Sequence, residues 1–168
     1  PGDYILDFGC GKGLFSIPVS EKVASEGKVF ALDIDDENLE IVGEKAADMD
    51  LDNIELVHSN GELQTDFYDG YLDMILLYDV LHLFNKNQRD ELFDEFHRIL
   101  KRGGDLSIYP KHTADNFPMH ELRHTYVDEV VREVECHAFT LESKMTIRIL
   151  HYERIQEDNI YNFKKQKR

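Results

Sequence analysis

Short apolar runs alternate with stretches of helical period through the first two thirds of the chain, and no other feature limits the fold so tightly. Tyr4 to Gly9, Lys28 to Ile34, Asn53 to His58, Asp73 to Tyr78 and Asp105 to Tyr109 read as five short strands. Between them, Leu14 to Ala24 puts Leu14, Ile17, Val19 and Val23 on one helical face. About Glu37 to Asp48 does so with Leu39, Val42 and Ala46, and Asn87 to Lys101 with Leu92, Phe93, Phe96, Ile99 and Leu100. Pro18 predicts a kink or a late start, Gly27 an end to the first helix, and Gly103-Gly104 an end to the third. Such alternation predicts βαβ units and a parallel sheet covered on both faces. The last third differs. A helix around Val127 to Val134 precedes two strand-like runs, Ala138 to Ile149 and Asn159 to Lys164. The expectation is a single α/β domain: a doubly wound, mostly parallel, seven-stranded sheet with an antiparallel C-terminal edge.

Size and charge narrow the partners. At 168 residues, 42% of them hydrophobic, the chain suits one domain with a real core. Nineteen basic against 34 acidic residues give a net charge of −15. That charge repels phosphate backbones and anionic membranes, so nucleic acid is disfavoured as a partner. No apolar run approaches the roughly 18 residues of a membrane span. Two cysteines, Cys10 and Cys136, cannot make a disulfide framework and fit a reducing, cytoplasmic compartment. No signal peptide is visible, and Pro1-Gly2 leads straight into the first strand. This reads as a chain that has lost its natural start.

Asp7-Phe8-Gly9-Cys10-Gly11-Lys12-Gly13 lies between the first strand and the first helix. Three glycines in five residues let backbone turn sharply and approach a ligand, with helix N-terminal amides behind. In a parallel sheet, ligands bind at such crevices. A phosphate loop of the G-x-x-x-x-G-K-[ST] type does not fit. A dinucleotide fingerprint would need its third glycine one residue later. A tight turn without ligand stands as the structural alternative. Asp33, 20 residues after Gly13 and at the end of the second strand, suits two ribose hydroxyls. Its alternative role is a helix cap, which Asp36 would fill better.

The pattern D-x-G-x-G-x-G, with Asp33 behind it, resembles motif I of the class I S-adenosylmethionine-dependent methyltransferases, which share a Rossmann-like fold. The resemblance continues through His58-Ser59-Asn60-Gly61, Asp73 to His82, and Leu100 to Leu106. It implies methyl transfer from S-adenosylmethionine to a small-molecule or protein acceptor. By resemblance, Gly9, Gly11 and Gly13 would cradle the methionine end, with Asp7 and Cys10 of the same motif also cofactor-binding, the small Cys10 side chain suiting close packing there. Asp33 would bind the ribose, Ile34 would pack on the adenine, and Asn60 with Gly61 would meet its edge, Asn60 replacing the usual acid. Tyr78 and its backbone carbonyl would lie near the methionine moiety. The family's covering helices before the first strand have no counterpart here, leaving Lys111 to Tyr126 as the internal candidate for a cover.

Methyl transfer from a sulfonium needs orientation more than a catalytic base. His82 and Asp79, past the fourth strand, and His112, with Lys111 past the fifth, are the candidates for facing an acceptor. A histidine that only fixes a loop is the alternative for His82. Tyr109 could line the same pocket or belong to the core. His120-Glu121-Leu122-Arg123-His124 matches H-E-x-x-H, in which a helix would put two zinc ligands on one face. Arg123 inside it, and its place after the fifth strand, make a zinc hydrolase the remote alternative, and no metal is expected. A nucleotide-dependent oxidoreductase and a non-catalytic cofactor-binding domain are the other functional alternatives.

Overall fold

The structure, a computed structural model, describes residues 1–151 and 154–167. The elements are β1 (Tyr4–Phe8), α1 (Ser16–Val23), β2 (Lys28–Asp33), α2 (Asp36–Asp48), β3 (Ile54–His58), β4 (Leu72–Tyr78), α3 (Lys86–Ile99), β5 (Leu100–Tyr109), α4 (Val127–Glu135), β6 (Phe139–His151) and β7 (Arg154–Lys165). They form a seven-stranded sheet in the order β3-β2-β1-β4-β5-β7-β6. Pairing is parallel from β3 across to β5, and antiparallel for β5–β7 and β6–β7. The expected architecture is the observed one.

Alternation along the strands builds two apolar layers. Leu6, Phe8, Phe30, Leu32, Ile75 and Leu77 face the buried sides of α3 and α4, including Phe93, Phe96, Val130 and Val134. Ile5, Val29 and Leu76 face Val23 of α1, and Ala31 faces Leu39 and Val42 of α2. The helices end where their caps dictate. Asn85 and Gln88 close a capping box on α3. Asp35, not Asp36, caps α2, accepting a hydrogen bond from Glu37 N.

Several element boundaries differ from expectation, β7 for instance starting at Arg154 rather than Asn159, and two of the differences have clear local reasons. Leu14 is not on a helix face: it is 61% exposed, because the glycine turn delays α1 to Ser16 and leaves Pro18 in the first turn, where its missing N–H costs nothing. Gly103-Gly104 do not end α3. The helix stops at Ile99, Leu100 already pairs with Leu72, and the glycines lie in a bulge before Asp105 pairs with Met74. Gly103 takes the left-handed φ of +70° that this bulge requires.

The strand order reverses between β1 and β4. The chain leaves both strands at their C-terminal ends, so the Gly9–Gly13 turn and the Asp79–His82 turn meet at one crevice.

Candidate functional site

The glycine turn is held from below. Gly9 N and Cys10 N both donate to Leu32 O, at 2.8 and 2.9 Å, and Gly13 N donates to Cys10 O. All three glycines have positive φ, +74°, +51° and +77°. Glycine is required at Gly9 on two counts: a Cβ there would stand 2.6 Å from Val80 Cγ2. Space beside Gly11 differs, with no described heavy atom within 4 Å of a Cβ position. Here the backbone can be approached by a ligand.

Asp33 ties the turn to β2. Its Oδ2 accepts from Gly11 N at 2.7 Å, and its Oδ1 accepts from Asp35 N at 3.0 Å and Asn38 Nδ2 at 3.4 Å. The carboxylate is therefore a structural anchor for the loop as well as a site candidate, a function that sequence spacing does not reveal. It is 8% exposed, whereas neighbouring Ile34 is 64% exposed. Gly61 flanks Ile34: a Cβ on it would lie 3.5 Å from Ile34 Cδ1. Asn60 Oδ1 accepts from Glu62 N at 2.9 Å, so the oxygen expected to meet an adenine edge already shapes its own loop. A cavity of about 430 Å³ opens between β2–β3 and the loop after β3, lined in part by Phe30, Leu32, Val57, Asn60, Phe67 and Tyr71. Among the expected site residues, only Asn60 lies on its wall.

Asp7 is buried and accepts from Ser16 Oγ at 2.6 Å. Burial pushes its pKa up to about 6, against the lowering effect of the Ser16 hydrogen bonds. Cys10 is buried beside it. Burial, with the charges of Asp7 and Asp33, pushes the thiol up to about 12, so it is no nucleophile near neutrality. Tyr78 packs edge-on against Phe15, ring centroids 4.6 Å apart. Its hydroxyl shares a 2.7 Å hydrogen bond with Ser107 Oγ, which donates to Asn162 Oδ1. That hydroxyl is committed to the sheet, not to the crevice.

Past β4 and β5 the expected acceptor-facing residues come together. His82 Nδ1 lies 3.6 Å from Asp79 Oδ1, and His112 Nε2 lies 3.5 Å from the same oxygen. The His82 and His112 rings are 4.4 Å apart at 69°. Asp79 and His112 both adopt left-handed backbone, with φ of +56° and +65°. His112 Nδ1 sits 3.0 Å from Phe117 O. Burial, with the nearby His112, His120 and Lys111, lowers the His82 pKa to about 4, which keeps that ring neutral. Burial also lowers Lys111, whose Nζ lies 5.8 Å over the Tyr109 ring. Tyr109 belongs to the core wall at 1% exposure, its hydroxyl donating to Asp158 Oδ2. One ligand atom each from Asp79, His82 and His112 can lie within 4.8 Å of the other two, a grouping that could hold a metal ion.

The H-E-x-x-H reading fails on geometry. His120–Leu122 is a single 3₁₀ turn, not an α-helix, so His120 and His124 do not stack on one face. The His120 ring lies 5.2 Å from that of His82, while the exposed His124 accepts from Arg123 Nε. The same turn packs Leu122, fully buried, onto the core beside the 3₁₀ turn Leu81–Leu83, so this part of the segment after β5 lies against the turn that follows β4.

Comparison with known proteins bears on the fold and the family. A demethylmenaquinone methyltransferase of Listeria monocytogenes is 33% identical over 106 residues, 63% of this chain and 44% of the relative. The chain thus spans less than half the length of the curated relatives it matches. Two solved structures share the fold. One is a SAM-dependent methyltransferase from Methanosarcina mazei, with TM-score 0.78 and 18% identity, covering 98% of this chain and 92% of that one. The other, from Aquifex aeolicus, has TM-score 0.75 and 21% identity, covering 96% and 82%. The family model described as "Methyltransferase domain" matches residues 5–104, from β1 to the bulge of β5. With more than half of its length under that model, and the glycine turn and Asp33 inside the matched region, the chain belongs to the methyltransferase-domain family.

Proposed function

We propose that the chain is one S-adenosylmethionine-dependent methyltransferase domain acting on a small-molecule or protein acceptor. The observation that carries the reading is the Asp33 bridge. A buried carboxylate at the end of β2 holds Gly11 N at 2.7 Å, at the point where the strand order reverses. Open space at Gly11, the exposed Ile34 face and Gly61 behind it fit the cofactor.

S-Adenosylmethionine supplies a methyl group already activated on a sulfonium. The chain's own residues bind and orient. The Gly9–Gly13 turn lets backbone lie against the methionine end. Asp7, ionised above about pH 6, would offer its carboxylate to the ammonium group. Asp33 Oδ2, with one bond from Gly11 N, keeps acceptor capacity for a ribose hydroxyl, whereas Oδ1 already accepts from Asp35 N and Asn38 Nδ2. Ile34 would pack on one adenine face, with Asn60 and Gly61 at its edge. Asp79, His82 and His112 stand where an acceptor would enter, beside the segment after β5.

The acceptor of the curated relatives is not carried over. The family match ends at Gly104, and the segment after β5 lies beyond it. Net charge of −15 argues against nucleic-acid acceptors. No helix among the described residues is long and apolar enough to cross a membrane. The described cysteines, one buried and one exposed, are free thiols, which supports a reducing, cytoplasmic setting.

Calorimetry with S-adenosylhomocysteine and with NAD tests the reading. The homocysteine compound should bind with a Kd below about 1 mM, or about −4 kcal/mol, and NAD should not. No binding of the former would sink it. Methylation of acceptor mixtures then separates turnover from cofactor binding alone.

A further inference from the structure

We propose that Asp79, His82 and His112 bind one divalent transition-metal ion at the mouth of the crevice. Three donor atoms converge there from two loops distant in sequence. Asp79 Oδ1 lies 3.6 Å from His82 Nδ1 and 3.5 Å from His112 Nε2. Both separations are too long for a good hydrogen bond. Ligands bonded at about 2.0–2.1 Å around one tetrahedral ion stand roughly 3.3–3.4 Å apart; both Asp79 separations are close to that, and all three donors lie within 4.8 Å of one another, so the two imidazoles would draw in around a shared ion.

The tautomers agree with that. The Phe117 carbonyl can only accept, so His112 Nδ1, 3.0 Å away, carries the proton. In the neutral ring, Nε2 then turns its lone pair toward Asp79. A ring nitrogen fixed by a carbonyl on its far side is the usual support for a metal-binding histidine. His82 Nδ1 is buried and has no hydrogen-bond partner among the described residues. Its side chain is 10% exposed, and it aims at the same carboxylate oxygen. Two imidazoles and one carboxylate suit zinc, ferrous iron or cobalt rather than magnesium or calcium.

Three protein ligands leave a coordination position open. Asp79, 34% exposed in its side chain, is the solvent side of the cluster. Val80, next to it, touches the glycine turn at Gly9. Resting on the methyl-transfer reading, the open position faces an acceptor hydroxyl or thiol. The ion would favour its ionised form, the proton passing to solvent. The acceptor lone pair then forms the new bond to the methyl carbon as the sulfonium C–S bond breaks and its electrons return to sulfur.

Metal-free protein titrated with Co²⁺ or Zn²⁺ tests the site, with no cofactor added. One ion per chain is expected, with the intense visible absorption of tetrahedral cobalt and two paramagnetically shifted histidine ring N–H signals. His82→Ala and His112→Ala should lose that stoichiometric binding, and Asp79→Asn should weaken it while keeping the side-chain shape. His124→Ala, at an exposed histidine, should bind as the wild type does. Circular dichroism shows whether each variant is folded; the wild-type cobalt spectrum and Asp79→Asn decide if a histidine variant is not. Absence of stoichiometric binding by wild type, or binding untouched by all three substitutions, overturns the proposal. Failure of S-adenosylhomocysteine to bind, measured separately without metal, would sink the methyl-transfer reading and leave the metal result standing.

Discussion

Asp33 and Asp7 each act on the fold as well as on the candidate site. Asp33 accepts from Gly11 N, Asp35 N and Asn38 Nδ2 before any ligand arrives. Asp33→Ala should therefore weaken S-adenosylhomocysteine binding by roughly 1–3 kcal/mol, through lost ribose contacts and a released loop. Calorimetry on the variant checks this, and unchanged affinity would mean the ribose lies elsewhere. Asp7 makes a prediction in pH. Burial raises its pKa from 3.8 to about 6. Its folded value thus exceeds the unfolded one, so its contribution to stability is whole below about pH 4 and is lost as pH rises through about 6. Ionised Asp7 then costs on the order of 3 kcal/mol. Asp7→Asn should raise Tm near about pH 8, and the gain should shrink toward about pH 5. Thermal unfolding across that range reads it, and a constant difference would refute it. A carboxylate that strains the fold is explicable where an ammonium group docks.

At the scale of elements, the glycine turn and α3 were legible to different depths. Glycine spacing between a strand and a helix marked the turn. It could not say which glycine is sterically required, because Val80 comes from another loop. Gly9→Ala puts a Cβ 2.6 Å from Val80 Cγ2 at a φ of +74°. It should cost about 1–3 kcal/mol in stability, read as a lower denaturation midpoint. Adding Val80→Ala should recover part of the loss. Helix α3 could be read almost to its ends from its 3.6-residue period, yet its partner could not. Arg89, buried, makes a two-pronged ion pair with Glu133 of α4, at 2.8 and 2.9 Å, and donates to Phe84 O. Glu133→Ala leaves that guanidinium buried without its carboxylate and should cost about 3–5 kcal/mol. Chemical denaturation checks it, and a change below about 1 kcal/mol would show that water replaces the carboxylate.

For the whole molecule, topology turns these parts into a site. The β1–β4 reversal places two loops, more than sixty residues apart in sequence, at one crevice. The antiparallel β6–β7 pair extends the sheet beyond β5, where Asn162 receives the Tyr78–Ser107 hydrogen-bond chain. The segment between β5 and α4 folds back against the turn that follows β4, with Leu122 buried in the core.

By itself the sequence determined what depends on neighbours along the chain. Periods of 2 and 3.6 gave the elements, glycine spacing gave the turn, and strand–helix alternation gave a parallel sheet, because these are local preferences and short-range sterics. Tertiary structure decided what depends on residues meeting across space. It bound Asp33 to the glycine turn and took the Tyr78 hydroxyl away from the crevice. It unwound His120 to His124 into a turn that no helical pattern can convey. It also gathered Asp79, His82 and His112, which share no motif, around one point. Their convergence follows from where β4 and β5 end side by side, and strand adjacency is not written in the spacing of any three residues.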